Sequence, residues 1–172
     1  MRTLLLLRHA KSSWEDPLLD DFDRPLAPRG QEAAPVMAAY LKSKGLRPDL
    51  VLCSPAVRAR QTWTLVAQHL GGSIAMKALQ GLYLGAPSRL LDALHRAPEA
   101  ASCVMLVGHN PGMEHLALAL AGPASKSKAM AKLQTKFPTA ALAEIVFDSA
   151  SWRDVGQGAG RLKRLVWPRD LA

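Results

Sequence analysis

The chain has 172 residues, of which 49% are hydrophobic and 21% charged, and a formal net charge of +8. That length and balance suit one domain, residues 1–172, with a proper core, and they exclude a disordered chain. The first apolar run, Leu4 to Leu7, gives way at once to Arg8, His9 and Lys11, too short for a secretory signal core or a membrane span, so a soluble cytoplasmic protein is expected.

Strands and helices alternate along the chain. TLLLLR (3–8) has strand length. From Gly30 to Lys44, Ala33, Val36, Met37, Tyr40 and Leu41 recur at helical spacing, and Gly45 is placed to end that helix. DLVLCS (49–54) reads as a strand, 57–70 as a helix closed by Gly71 and Gly72, and Ile74 to Met76 as a short strand. Ser88 to Arg96 places Leu90, Leu91 and Leu94 on one helical face. SCVMLVG (102–108) is a strand and Met113 to Ala121 a helix. The segment from Gly122 to Pro138 reads as a loop or a broken helix. ALAEIVF (141–147) and RLKRLVW (161–167) read as a hairpin across the glycines at 156, 158 and 160. The alternation predicts a three-layer α/β/α sandwich, mostly parallel, with an antiparallel strand near the C-terminus.

The two cysteines, Cys53 and Cys103, sit in apolar strands with no CxxC motif, which fits small core residues better than a metal or redox site. The positive charge admits nucleic acid, a membrane surface or an anionic substrate as partner. The basic residues form no dense block and few aromatics accompany them, so neither nucleic acid nor membrane is expected. Lys126, Lys128, Lys132 and Lys136 are the nearest thing to a cluster, and a solvated face accounts for them.

Three strand ends carry chemistry: Arg8-His9, then Ser54-Pro55 with Arg58 close behind, then Gly108-His109-Asn110-Pro111. In open α/β sheets, sites form beyond the carboxyl ends of the strands, so the three should share one edge. Ser54-Pro55 and Asn110-Pro111 read as N-cap and first helical residue, which would turn two helix N-termini toward that edge. Arginines grip phosphate oxygens, and an imidazole nitrogen can attack phosphorus. Each of these residues alone has an ordinary structural explanation; their shared position points to a site for a compact dianion. His69, His95 and His115 fall away from strand ends and read as surface or packing residues.

Four blocks in order, LLRHAKS, LAPRGQEAA (26–34), CSPAVRARQT (53–62) and LVGHNPG (106–112), resemble the histidine phosphatase superfamily, in the branch of the phosphoglycerate mutases. The small size, the Lys-Ser after Arg-His-Ala and KFPTAALAEIVF (136–147) resemble its short bacterial members of the SixA type, the phosphohistidine phosphatases. The resemblance implies a phosphoric-ester hydrolase without metal or other cofactor. His9 would be the nucleophile, and Arg8, Arg58 and His109 would grip the phosphate, with a protonated His109 as a third positive charge. Ser12 would either line the substrate site or cap a loop. Mutase-like members place a glutamate in the mid-chain loop, where this chain has the acid-free LQGLYLGAPS (79–88). Asp20 or Asp21 could supply a proton instead, and Asp23 reads as a loop anchor. The missing acid favours phosphohistidine on a protein over a small phosphorylated metabolite, because imidazole leaves more readily than an alkoxide. A broad phosphomonoesterase and a non-catalytic phosphate-binding module are the alternatives. The sequence sets no oligomeric state.

Overall fold

A computed structural model describes residues 1–171. Six strands form one sheet: β1 (Arg2–Arg8), β2 (Leu50–Cys53), β3 (Ala75–Ala78), β4 (Cys103–Gly108), β5 (Leu142–Phe147) and β6 (Arg161–Val166). Their order is β3-β2-β4-β1-β5-β6. Only β5 runs against the others, since it pairs antiparallel with both β1 and β6. The helices are α1 (Pro28–Ser43), α2 (Val57–Leu70), α3 (Pro87–His95), α4 (Gly112–Leu120) and α5 (Ser127–Thr135). The expected architecture holds, with the short strand at Ala75–Ala78 instead of 74–76 and the 122–138 segment split into a loop and α5.

The leucine run explains the layering. Side chains of a strand alternate between faces, and a central strand covered on both sides must be apolar throughout. Leu4 and Leu6 enter the core beneath α3, α4 and α5, while Leu5 and Leu7 enter the core beneath α1 and α2. All four are fully buried. The two cysteines lie within these strands, and burial pushes both thiols up to about 12, which leaves them protonated packing groups.

Register sets the functional edge. Arg8 lies level with Gly108 across β1 and β4, and Cys53 lies level with Val107 across β2 and β4. The next residues, His9, Ser54 and His109, therefore leave the sheet side by side. The His9 amide donates to the Gly108 carbonyl at 3.0 Å and the Ser54 amide to the Val107 carbonyl at 2.9 Å.

Two expectations need correction. The helix after β2 starts two residues later than the Ser54-Pro55 pair implies, and the helix after β4 one residue later than Asn110-Pro111 implies, with Ala56 and Pro111 in the N-cap positions. The Ser54 hydroxyl is turned toward His109 at 2.7 Å, while also accepting from the Ala56 amide, so it serves a turn and not the helix. Asn110, which precedes a cis Asn110–Pro111 bond, does serve the helix start: its side-chain oxygen accepts from the Glu114 amide in the first turn of α4 at 3.3 Å.

The loop after β1 is pinned from α1. A Cβ built on Gly30 would sit 2.2 Å from the Lys11 carbonyl oxygen, so only glycine lets the helix approach that backbone. Gly30→Ala is expected to destabilise the fold by about 1–3 kcal/mol, as overpacking does, and to lower activity by displacing the residues after His9. A urea-denaturation midpoint equal to wild type would contradict this.

Candidate active site

The three strand ends enclose a cavity of about 220 Å³, lined in part by Arg8, His9, Arg58, His109, Lys11 and Asn110. The four residues singled out from sequence are thus brought together. Ser12 also lines the cavity, but its hydroxyl accepts from Arg24 at 2.9 Å, so it is tied to the rim.

Arg58, on the first turn of α2, is the hub and is only 2% exposed. Its Nε–H points at His9 Nε2 at 3.4 Å and an Nη donates to His109 Nδ1 at 3.3 Å. The same guanidinium donates to Asp21 twice, to the carbonyl at 2.6 Å and to the carboxylate at 2.9 Å. Arg8 donates to the Phe137 carbonyl at 3.0 Å and keeps a buried Nε–H with no acceptor among the described residues.

The hydrogen bonds assign both tautomers. His9 Nδ1 lies 2.7 Å from the Ala10 carbonyl, which can only accept, so the proton sits on Nδ1 and Nε2 carries the lone pair. The guanidinium of Arg58 can only donate, so His109 Nδ1 is unprotonated and its Nε2–H faces Ser54. The turn under His9 is held from α2, where Thr62 accepts from the Ala10 amide at 3.0 Å and donates to the Arg58 carbonyl at 2.7 Å.

Electrostatics follow from packing cations around buried imidazoles. Burial, with Arg58, Arg8 and Arg24 nearby, brings His9 down to about 4. Burial, then His9 and Arg58, bring His109 down to about 3. His109 is therefore held neutral by burial and its cationic surroundings. Arg8, Arg58 and Arg24 already crowd the site with charge.

Of the candidate acids, Asp21 alone reaches this network. It accepts from Tyr83 at 2.6 Å, from Arg58, and from Arg24 at 3.1 and 3.2 Å. Burial pushes its carboxyl up, but those donors outweigh it and hold the group at about 2. It is thus an ionised anchor and not a proton store. The loop-anchoring role read for Asp23 belongs to Asp21, and Asp20 is exposed to solvent. Arg24, which also stacks on Trp14 at 3.5 Å, went unread in the sequence, as did Tyr83 and Thr62. The Asp-Arg-Pro step at 23–25 and the threonine closing CSPAVRARQT were the only signals for two of them. His69 and His115 are exposed, and His95 packs against the Val155 carbonyl at 2.7 Å. Among the described residues no group of His, Cys, Asp and Glu is placed to hold a metal ion, and no helix is long and apolar enough to cross a membrane.

Comparison with known proteins agrees with this geometry. Residues 4–86 match the histidine phosphatase superfamily (branch 1). The chain belongs to that superfamily, and it is a phosphatase by class. More particularly, it is similar to a SixA structure from Agrobacterium tumefaciens, described as a candidate phosphohistidine phosphatase. That structure is 32% identical with a TM-score of 0.82, over 97% of this chain and 98% of that one. A second candidate SixA, from Nakamurella multipartitia, is 30% identical with a TM-score of 0.84, over 97% and 96% of the two chains. An uncharacterised protein of Mycobacterium tuberculosis is 35% identical over 164 residues, which is 95% of this chain and 100% of that one.

Two outcomes are expected. Both histidines bind protons less readily folded than unfolded, where they titrate near 6.5. Their contribution to stability is therefore complete above about pH 6.5 and is lost as the pH falls toward 4 and 3; Asp21 adds a loss of the same sign lower still. Urea midpoints should drop between pH 7 and pH 4.5, and less so in His9→Gln; a flat profile would contradict the neutral histidines. Asp21→Asn should lower kcat/KM by roughly 10- to 100-fold through misplacement of Arg58. The loss should fall equally on aryl and alkyl phosphates, whereas a proton donor would spare the aryl ester.

Proposed function

We propose that the protein is a phosphatase that works through a phosphohistidine on His9 and acts on phosphohistidine carried by other proteins. The observation that carries this reading is the cavity lining: four cationic side chains, two imidazoles and no carboxylic acid. In the proposed first step the His9 Nε2 lone pair forms a bond to phosphorus while the bond from phosphorus to the leaving group breaks. Arg8 and Arg58 hold the equatorial oxygens, where charge is spread in the transition state. A dianion between them would offset the cationic surroundings of His109, whose Nδ1–H could then hydrogen-bond an equatorial phosphoryl oxygen, away from the leaving group. In the second step water attacks phosphorus, inorganic phosphate departs and His9 is regenerated.

The leaving group decides the substrate class. An alkoxide needs a proton from a positioned donor as it departs. Asp21 is held ionised near 2 and cannot give one at neutral pH. The imidazole of phosphohistidine is protonated on its free nitrogen near neutral pH and leaves as a neutral ring. The rim supports a protein as the carrier. Trp14 is 71% exposed and Leu84 56% exposed, and both line the cavity. Exposed apolar side chains gathered at a site mark a surface for another macromolecule.

The test compares kcat/KM on a phosphohistidine protein, p-nitrophenyl phosphate and an alkyl phosphate. The alkyl phosphate is expected to lag by about 10²–10⁴-fold, the usual worth of general acid catalysis. His9→Ala should abolish turnover and phosphoenzyme formation with the fold intact. Equal rates on alkyl phosphate would overturn the substrate assignment, and an active His9→Ala would overturn the mechanism.

A further inference from the structure

The net charge has an address. A cavity of about 340 Å³ adjoins the catalytic one, sharing Lys11 and Thr139 with it, and Arg29, Lys136 and Arg169 complete its charged lining. A second cavity of about 730 Å³ continues beyond, along α5 and β6, with Trp167 in the wall of both. The second is lined by Lys126, Lys128, Lys132, Lys163 and Arg164, with Asp170 as its one acid. Together they hold nine basic side chains and one acidic, so the rest of the chain, with 13 of each, is balanced. The +8 of the whole protein lies in one groove that opens on the active site.

Within the groove the cations crowd. The charged ends of Lys132, Lys136 and Arg169 lie 4.6, 5.0 and 4.8 Å from the centre of the Trp167 ring. Lys132 is neutralised by Asp170 at 2.6 Å, and Arg164 by the buried Glu144 at 2.6 Å. Lys11, Arg29, Lys136 and Arg169 have no Asp or Glu partner among the described residues. Like charges held together repel, and an anionic partner would relieve that repulsion.

Resting on the reading that the substrate is a phosphoprotein, we propose that this groove docks an acidic segment flanking the phosphohistidine and selects substrates by that segment's charge. The groove extends well past the reach of a small phosphate ester held at His9. Its cations are mostly exposed and on long stems, suited to several carboxylates and not to one fixed phosphate. Base stacking finds no free platform there: cations cover the Trp167 ring, and Lys44 lies over Tyr40.

The experiment uses two phosphohistidine peptides of one length, flanked by Asp and Glu or by Asn and Gln, and the variant Arg29→Gln/Lys136→Gln/Arg169→Gln. Wild type should show a KM about tenfold lower for the acidic peptide, the sum of a few exposed ion pairs. The variant should lose that preference while keeping kcat and its rate on p-nitrophenyl phosphate. Equal KM values in wild type would overturn the proposal, as would a variant equally impaired on p-nitrophenyl phosphate. Fluorescence anisotropy with the labelled acidic peptide, unphosphorylated, reads docking without turnover. If it binds wild type and not the variant while neither phosphopeptide is hydrolysed, the groove stands and the phosphohistidine reading falls. If a single-stranded oligonucleotide of equal charge binds more tightly than the peptide, the groove belongs to nucleic acid and the proposal fails.

Discussion

A guanidinium almost wholly out of water must be compensated, and the site depends on how Arg58 is. Stripping such a group of its hydration costs several kcal/mol unless hydrogen bonds and charge replace what water gave. Asp21 supplies both, and Tyr83 and Arg24 hold Asp21 in place. The Nε–H of Arg58 and the second hydrogen of the Nη that holds the Asp21 carboxylate face the two imidazoles. Burial, aided by the charge of Arg58, keeps His9 uncharged, so the buried cation that steers the nucleophile also helps preserve its lone pair. The loop after β1, the first turn of α2 and the acid-free segment at 79–88 meet through this network: the loop carries Asp21 and Arg24, the helix Arg58 and the segment Tyr83.

Much of this was legible in the sequence, for identifiable reasons. An uninterrupted leucine run reads as a strand covered on both faces, and Leu4 to Leu7 are that. Residues immediately after strands are placed by the sheet, so Arg8, His9 and His109 could be assigned to one edge without knowing the packing. Arg58 followed because it lies within one turn of a strand end. The rest depended on side-chain direction in loops. Asp20, Asp21 and Asp23 sit within four residues of one another, and nothing in their spacing says that only the middle one turns inward. Tyr83 was hidden for a related reason: a segment searched for a carboxyl offers a phenol that holds a distant carboxyl instead. The cap assignment at Ser54 failed because Ser54-Pro55 is a good cap in isolation, and only the fold reveals the competing claim of His109 on the hydroxyl.

The distribution of charge separates chemistry from recognition. Inside the catalytic cavity Arg58 and Arg24 are buried and tied to Asp21, which fixes their donors in place, as transition-state stabilisation requires. Along α5 and β6 the lysines are mostly exposed and individually weak. Their effect comes from number and from lying on one side of a chain otherwise balanced in charge. The lysine-bearing stretch 126–136 gave little signal alone, because its partners Lys163, Arg164 and Arg169 are supplied by residues more than 25 positions away.

The Ser54 hydroxyl carries one last consequence. It accepts the Nε2–H of His109 and the Ala56 amide, yet it owns a hydrogen that can rotate. Turned toward Nε2, that hydrogen makes serine the donor and leaves the imidazole's own proton to Nδ1, the nitrogen facing the cavity. The ring can thus offer a lone pair to Arg58, or an N–H from Nδ1 once another acceptor takes the Arg58 N–H that faces it. A site fixed in its skeleton is adjustable in its protons, and a strand-end serine that the sequence offered as a helix cap is the pivot.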